Sequence, residues 1–486
     1  MKKIPSSLPQ FFWHFIKPYK WGVFALFFTG FLWSIHSSFT PYLLKLIIDK
    51  LAGCIGDRTK AFEIVRWPLF GYIGMWFLMS INFRMFDWMK LRLFPEIRRD
   101  IVNSIFSYLN RHSQSYLQKN FAGSLSNKVM DVSSASISIF KRIDEATANL
   151  FAFFIALIAA YLVNPLFTLI LLIWISLFIL ITFLFSHKTS KLSKDFSESK
   201  SRLSGMIVDS IANLSNMRLF ARNNYENKRL NRIITNTVKK DRALQSYILR
   251  MRICWDISFI LLIAASLFTL VYLYSLNKIT IGDFAFIITV TINMVFNLWN
   301  LASQFVQFSE DVGRCSQALS IVTVPHDIVD DPKAKKISIK KGSICFDQVD
   351  FSYKGNQNKI FENKNLKIEA GTKVGLVGFS GGGKTTFVNL ILRFYDVTSG
   401  RILIDGQDIK KVTQDSLHEQ ISMIPQDTSL FHRNLMENIR YGRLDATDEE
   451  VIAASKAAHC HEFIERLEDG YQSMVGERGL RLSGGQ

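Results

Sequence analysis

The densest chemistry in the chain sits in one run, Gly378-Phe379-Ser380-Gly381-Gly382-Gly383-Lys384-Thr385-Thr386. Two glycines with four residues between them, followed at once by lysine and a hydroxyl residue, give the spacing of a loop that holds a phosphate chain. The glycines let the backbone curl so that several N–H groups converge on one anion. Lys384 brings a cation to the outer phosphates, and the Thr385 hydroxyl is placed to coordinate magnesium. The segment Lys373 to Val377 is apolar and is predicted to be a strand entering the loop. Thr385 to Phe394 reads as a helix that aims its positive end at the same place. Pattern and context together predict a nucleotide site.

Other candidate clusters carry less. His459-Cys460-His461 has metal-ligand residue types, but neighbours in sequence on a helix do not face one another and cannot easily share one ion. The five cysteines, Cys54, Cys254, Cys315, Cys345 and Cys460, are odd in number, scattered and free of any CxxC pair. They predict neither a disulfide framework nor a structural zinc site.

The elements that must position the loop belong to two different solvents. Hydrophobic residues make up 49% of 486, with 41 Phe and 9 Trp, yet 20% are charged. The apolar residues are segregated: uncharged stretches near the ~20 residues needed to cross a bilayer recur up to about residue 310, and beyond about 340 the sequence reads as soluble. Six spans are predicted, at 21–44, 67–87, 144–163, 166–186, 256–276 and 281–302. Asn164-Pro165 alone joins the third to the fourth, a helix-breaking pair suited to a tight turn. The connection after the fourth span carries Lys188, Lys191, Lys194, Lys200 and Arg202 at one end and Lys239, Lys240, Arg242 and Arg250 at the other, so it lies in the cytoplasm by the positive-inside rule. Counting through the spans places the N-terminus, the 90–143 loop and everything after the sixth span on that side. The net charge of +17 concentrates in these loops, which favours lipid headgroups over nucleic acid.

No cleaved targeting segment is read at the N-terminus. Phe11, Phe12, Trp13, Phe15, Lys17, Tyr19 and Lys20 predict a helix lying in the headgroup layer, with a plain aromatic flank to the first span as the alternative. Helical spacing in Pro95 to Asn110 and Gly205 to Leu219 carries the helices beyond the membrane. Gly123 and Asn213 to Asn216 are the expected breaks, each allowing a short crossing helix. In the sixth span Asn293, Asn297, Asn300, Gln304 and Gln307 keep to one helix face, an arc of about 80°. Amides are costly against lipid, so this face meets either a watery cavity, the favoured reading, or neighbouring helices. With no charge on the stripe, an amphiphilic or lipid-like cargo fits better than an ion.

Several further motifs carry a family resemblance. Tyr353 closes the alternating strand Ile344 to Tyr353; Gln426 stands in Ile424-Pro425-Gln426-Asp427; and the sequence ends on Leu482-Ser483-Gly484-Gly485-Gln486. In order and spacing these resemble the ATP-binding cassette family, the last pentapeptide being its signature. Asp405-Gly406, Leu430-Phe431, Glu437-Asn438-Ile439 and Gly476-Glu477-Arg478-Gly479 support the match. With six spans in front, the chain resembles ABC exporter half-transporters of the multidrug and lipid A flippase type. It departs from the pattern slightly at Gly382, where Ser or Cys is frequent, and at the bulky Phe379.

The resemblance implies an α-helical transmembrane domain over 1–320, a linker over 321–340 and the N-terminal part of an α/β P-loop cassette over 341–486. It implies that Tyr353 stacks on adenine, that Gly378, Ser380 to Thr386 bind ATP with Mg2+, and that Gln426 senses the magnesium and the attacking water. Ser483, Gly484, Gly485 and Gln486 would close on the ATP of a second half-transporter. The breaks near Gly123 and Asn213 would be coupling helices. The implied protein is a multi-pass exporter of the bacterial inner membrane with its cassette in the cytoplasm, working by alternating access. A homodimer is the simpler assembly and a heterodimer the other. The sixth-span amides Asn293, Asn297, Asn300 and Gln304 would line the export path. Cargo stays open between a lipid A precursor, drugs and a peptide. A nucleotide-gated channel or regulator on the same scaffold is the alternative, whereas a soluble cassette ATPase is excluded by the spans. The family continues past the signature with a magnesium-binding aspartate, a catalytic glutamate and a switch histidine. Residues 1–486 alone are therefore expected to be a truncation that hydrolyses ATP only at background rates, with an unstable, open-sheeted cassette portion.

Overall fold

The computed structural model describes residues 4–53, 58–120, 122–354, 358–424 and 430–475. They form two compact units, Met1–His112 with Leu117–Pro325, and Ser113–Tyr116 with His326–Gln486.

The first unit is helical. A short helix α1 (Leu8–Ile16) precedes α2 (Lys20–Ala52), α3 (Ala61–Leu109), the short α4 (Gln114–Lys119, whose first half is counted with the second unit), α5 (Ala122–Val163), α6 (Pro165–Ala212), the short α7 (Leu214–Leu219), α8 (Asn223–Ser275) and α9 (Ile281–Val322). The six long helices are all long and apolar enough to cross a membrane. Each predicted span falls within one of them, to within one residue. The tight turn at Asn164-Pro165 forms as its chemistry dictates. Asn164 is extended and its side chain accepts the Leu166 N–H at 3.0 Å, while Pro165 takes the first helical position, where no N–H is needed. α1 carries the aromatic residues predicted there: Phe11 and Phe15 are buried, Trp13 is exposed, and Tyr19 just beyond donates to Asp100 of α3 at 2.7 Å.

Packing inside this unit mixes apolar bulk with small polar residues. α5 lies along α9, α6 along α8, and α2 against α3, α5 and α9. Trp174, Phe178, Trp255, Phe286 and Met294 build a core from α6, α8 and α9, in which Phe178 and Trp255 stack at 4.9 Å. Hydroxyls bind helix to helix: Ser34 donates to the Ala148 carbonyl at 2.7 Å, and Ser199 pairs with Thr237 at 2.8 Å. Such contacts replace the hydrophobic drive that lipid does not supply. At the start of α9 a Thr280–Asp283 capping box is clamped to α2. Lys45 donates to Asp283 at 2.5 Å and the Gly282 N–H to Asp49 at 2.7 Å. Gly282 permits this approach, because a Cβ there would stand 2.5 Å from the Lys45 carbonyl oxygen.

Both predicted breaks form. The first short helix, α4, ends just ahead of Gly123, which is the second residue of α5. The chain turns at Asn110 to Ser113, where the Arg111 and His112 N–H groups reach back to Tyr108 and Leu109. The second break falls as predicted, between Ala212 and Leu214.

The second unit holds a four-stranded antiparallel sheet in the order β2-β1-β3-β4, from β1 (Ile344–Phe351), β2 (Phe361–Ile368), β3 (Ser399–Ile404) and β4 (Gln407–Asp408). Helix α10 (Lys384–Ile391) packs on it through Phe387, whose ring stacks on Phe346 at 4.5 Å; Val349, Leu390, Ile402 and Ile404 complete the core. Past α10, Arg393 is 2% exposed and fully engaged. It donates to Asp396 at 3.0 Å, to Asp330 at 3.3 Å, and to the Val329, Ile409 and Val412 carbonyls. Asp405, in the turn between β3 and β4, receives N–H groups from Lys340 to Ser343 at 2.8–3.1 Å. The Lys341, Gly342, Ser343 and Lys340 amides hold its carboxyl far below the usual carboxylate range.

The strand predicted over Lys373 to Val377 is not formed. A strand exists through its ladder, and no segment among the described residues pairs with this one. Its apolar side chains stand open, Val374 at 54% and Val377 at 95% exposure.

Candidate nucleotide site and a polar pocket among the membrane helices

The phosphate-loop residues come together at the N-terminus of α10. Gly381 and Gly383 both adopt φ +84°, the left-handed region where side chains are strained, and Gly383 caps the helix. A Cβ on Gly383 would also meet the Ile360 methyl at 2.9 Å. The Gly382 N–H closes a tight turn onto the Phe379 carbonyl at 3.0 Å, and Phe387 makes the first helical bond, to Gly383. The N–H groups of Lys384, Thr385 and Thr386 precede that bond and have no intrahelical acceptor, which makes the helix end an anion site. Lys384 folds over the loop and donates to the Gly378 and Phe379 carbonyls, each at 2.8 Å. The ammonium therefore sits at the mouth of the cradle, and incoming phosphate oxygens would replace two carbonyl acceptors. Ser380 and Thr385 are exposed. This donor set fits a nucleotide polyphosphate.

Thr386 differs from its neighbours. It is 5% exposed and its hydroxyl pairs with the Tyr353 hydroxyl at 2.9 Å. Tyr353, two residues past β1, meets Phe351 and Tyr395 edge-on, both at 5.0 Å. The structure thus ties the expected adenine-stacking aromatic directly to the loop helix. Gln426 and the segment Ser483, Gly484, Gly485 and Gln486 lie outside the described residues.

In α9 the amide stripe splits. Asn297 is buried, Asn293 and Gln304 are half-buried, and Asn300 and Gln307 are exposed. Gln304 donates to Glu145 of α5 at 3.2 Å, and Gln307 accepts from Arg142, which also pairs with Asp311 at 2.9 Å. The stripe itself carries no charge, but α5 brings charge to its lower end. Gln304 lines a pocket of about 210 Å³ with Thr29, Asn82, Asp144, Glu145 and Asn149. None of these α2, α3 and α5 residues was among the expected site residues. The signal that points to them is Asp144-Glu145 at the head of the predicted third span, since carboxylates inside a span are costly and seldom idle.

His461 is engaged by Tyr471 at 2.9 Å and by Glu465 at 3.0 Å.

Comparison with known proteins agrees with this division. Residues 23–298 match the model of the ABC transporter transmembrane region and residues 361–486 that of the ABC transporter cassette. A Staphylococcus aureus (strain NCTC 8325 / PS 47) protein that bears the name of a multidrug export ATP-binding/permease protein is 31% identical over 493 residues, covering 97% of this chain and 82% of its own. An uncharacterized ABC transporter ATP-binding protein of Haemophilus influenzae is 45% identical over 194 residues, 39% of this chain and 31% of its own. Among solved structures, a bacterial Atm1-family ABC exporter with ATP bound superposes with a TM-score of 0.79 at 25% identity, over 95% of this chain and 82% of that one. The chain belongs to the ABC transporter family. It is a half-transporter, one membrane region and one ATP-binding cassette in a single chain, of the kind that drives export with ATP. It is a multi-pass integral protein of the bacterial plasma membrane with its ATPase portion in the cytoplasm.

Proposed function

We propose that this half-transporter pairs with a second half, in the simplest case a copy of itself, and exports an amphiphilic compound by alternating access. The observation that carries the cargo reading is the inward burial of amides in α9, Asn297 above all, against the apolar outer surface of the same helices. A helix that only had to anchor the chain would put Leu or Val there. The relatives named for multidrug export support the same class of cargo. Lys384 and the α10 N-terminus hold the polyphosphate, and Tyr353 offers its ring to the base. Thr385, the exposed hydroxyl at the second helical position, would hold Mg2+, which when bound neutralises phosphate charge. Gln426 and the 483–486 segment would complete the composite site between two halves.

The test is cargo accumulation in proteoliposomes of the complete half-transporter. Uphill uptake that needs ATP, and that Lys384→Ala abolishes together with ATP turnover, is the expected result. ATP turnover near the wild-type rate in Lys384→Ala would overturn the nucleotide assignment. Flux that only runs downhill would make the protein a gated channel.

A further inference from the structure

Among the described residues the membrane unit contains a pocket whose polar atoms are mismatched in one direction. Asn82 of α3 is 6% exposed and Asp144 of α5 is 3% exposed, yet Asn82 Oδ1 and Asp144 Oδ1 have no hydrogen-bond partner. Gln304 Oε1 of α9 is in the same condition. All three line the same pocket and all three are acceptors. The amide orientations are fixed from behind: Asn82 Nδ2 donates to the Thr29 carbonyl at 3.1 Å, and Gln304 Nε2 to Glu145 at 3.2 Å. In each case the oxygen is the end left over.

A buried acceptor left unmatched costs about 1–3 kcal/mol, and a carboxylate more. The charge of Lys90 reaches Asp144, but among the described residues no cation hydrogen-bonds any of these three oxygens. Lys90 is held by Asp87 at 3.3 Å and lies 4.1 Å above the Phe86 ring, and Lys141 pairs with Glu145 at 3.6 Å. The remaining wall is aromatic, from Trp33, Phe83 and Phe86. A Cβ on Gly30 would stand 3.2 Å from the Ala148 Cβ and 3.7 Å from Asp144 Oδ1, so the glycine lets α2 and α5 approach closely beside the pocket.

We propose that this pocket binds the protonated amino group of an organic amine. An ammonium carries three N–H donors and a positive charge, which match the Asn82 and Gln304 oxygens and the Asp144 carboxylate, while its apolar body lies on the aromatic wall. The volume, about 210 Å³, is below the ~300–1,000 Å³ of sites that enclose a whole drug-sized ligand, so the pocket takes a small arylalkylamine or the amine-bearing end of a larger molecule. This deepens the export reading, on which it rests for the cargo's role, by naming the head group that the cargo presents.

The test is equilibrium binding of tritiated phenethylamine at pH 7 to the protein in nanodiscs without nucleotide, with 2-phenylethanol and phenylacetate as competitors. Saturable binding is expected, with the alcohol and the anion each competing at least tenfold more weakly than unlabelled amine. Asp144→Asn should weaken the amine at least tenfold while the thermal midpoint stays in place. Absence of saturable binding, equal competition by the alcohol, or wild-type affinity in a folded Asp144→Asn protein would overturn the proposal. If that variant does not fold, the competition series on the unmodified protein decides alone. Export is scored separately by uphill uptake: amine binding without uptake removes the export reading and leaves the site, and uptake without amine selectivity removes the site alone.

Discussion

Phe268 on α8 and Val377 ahead of the phosphate loop are both largely open, at 78% and 95% exposure, yet the two positions mean opposite things. Phe268 lies in the predicted fifth span, where its neighbours are acyl chains and exposure is the low-energy state. Val377 lies in the cytoplasmic unit, where open apolar surface faces water and calls for a cover. Buried polar groups differ as well, although both units keep an apolar core. The membrane unit buries Thr29, Ser34, Asn82 and Asp144 among its helices, and the cassette unit buries Phe346, Val349 and Ile402. Solvent, rather than burial, sets the sign of each contribution, and the same accessibility value has to be read against the medium around it.

That contrast can be tested from both sides. The largest effect is expected where the cassette unit departs from its own rule, at the buried Arg393. Arg393→Met takes the buried donor from Asp396 and three carbonyls, while Asp330 keeps Gln414, so it should cost about 3–5 kcal/mol and lower the thermal midpoint measured by calorimetry. A change under about 1 kcal/mol would mean that these groups find other partners. Next comes the lipid face. Phe268→Asp near the middle of a span should cost about 2.5–3.5 kcal/mol of membrane insertion, read by a glycosylation-mapping assay, whereas Phe268→Leu should insert as before. Equal insertion of both would place α8 against water or protein.

The smallest and most conditional effect concerns Asp405. Its folded pKa lies below the ordinary carboxylate value because four backbone amides stabilise the charged form. The stabilisation is therefore fully present above the ordinary carboxylate range and is lost as pH falls through the lower, folded value. Asp405→Asn should reduce the urea midpoint by a constant amount between pH 7 and pH 5. The gap should begin to narrow below about pH 4. A gap unchanged at pH 3 would show that shape rather than charge holds the 340–343 segment.

What the sequence determined by itself follows from interactions between residues close together in the chain. Six apolar stretches give six long helices, because a span is decided by length and hydropathy alone. Asn164-Pro165 gives its turn, because cap and ring act within two residues. The loop from Gly378 to Thr386 gives its cradle, because glycine spacing sets the backbone. The fold decided what depends on distant neighbours. Residues 373–377 have the composition of a strand, but strands are made by ladders, and here none pairs with them among the described residues. The α9 stripe was legible as a face of amides, whereas its environment was not. Asn82, Asp144 and Gln304 are far apart in sequence, and only the packing of α3, α5 and α9 turns three separate side chains into one acceptor-lined pocket. Periodicity reports which face of a helix a residue occupies; which other helix meets that face is settled by close packing in three dimensions.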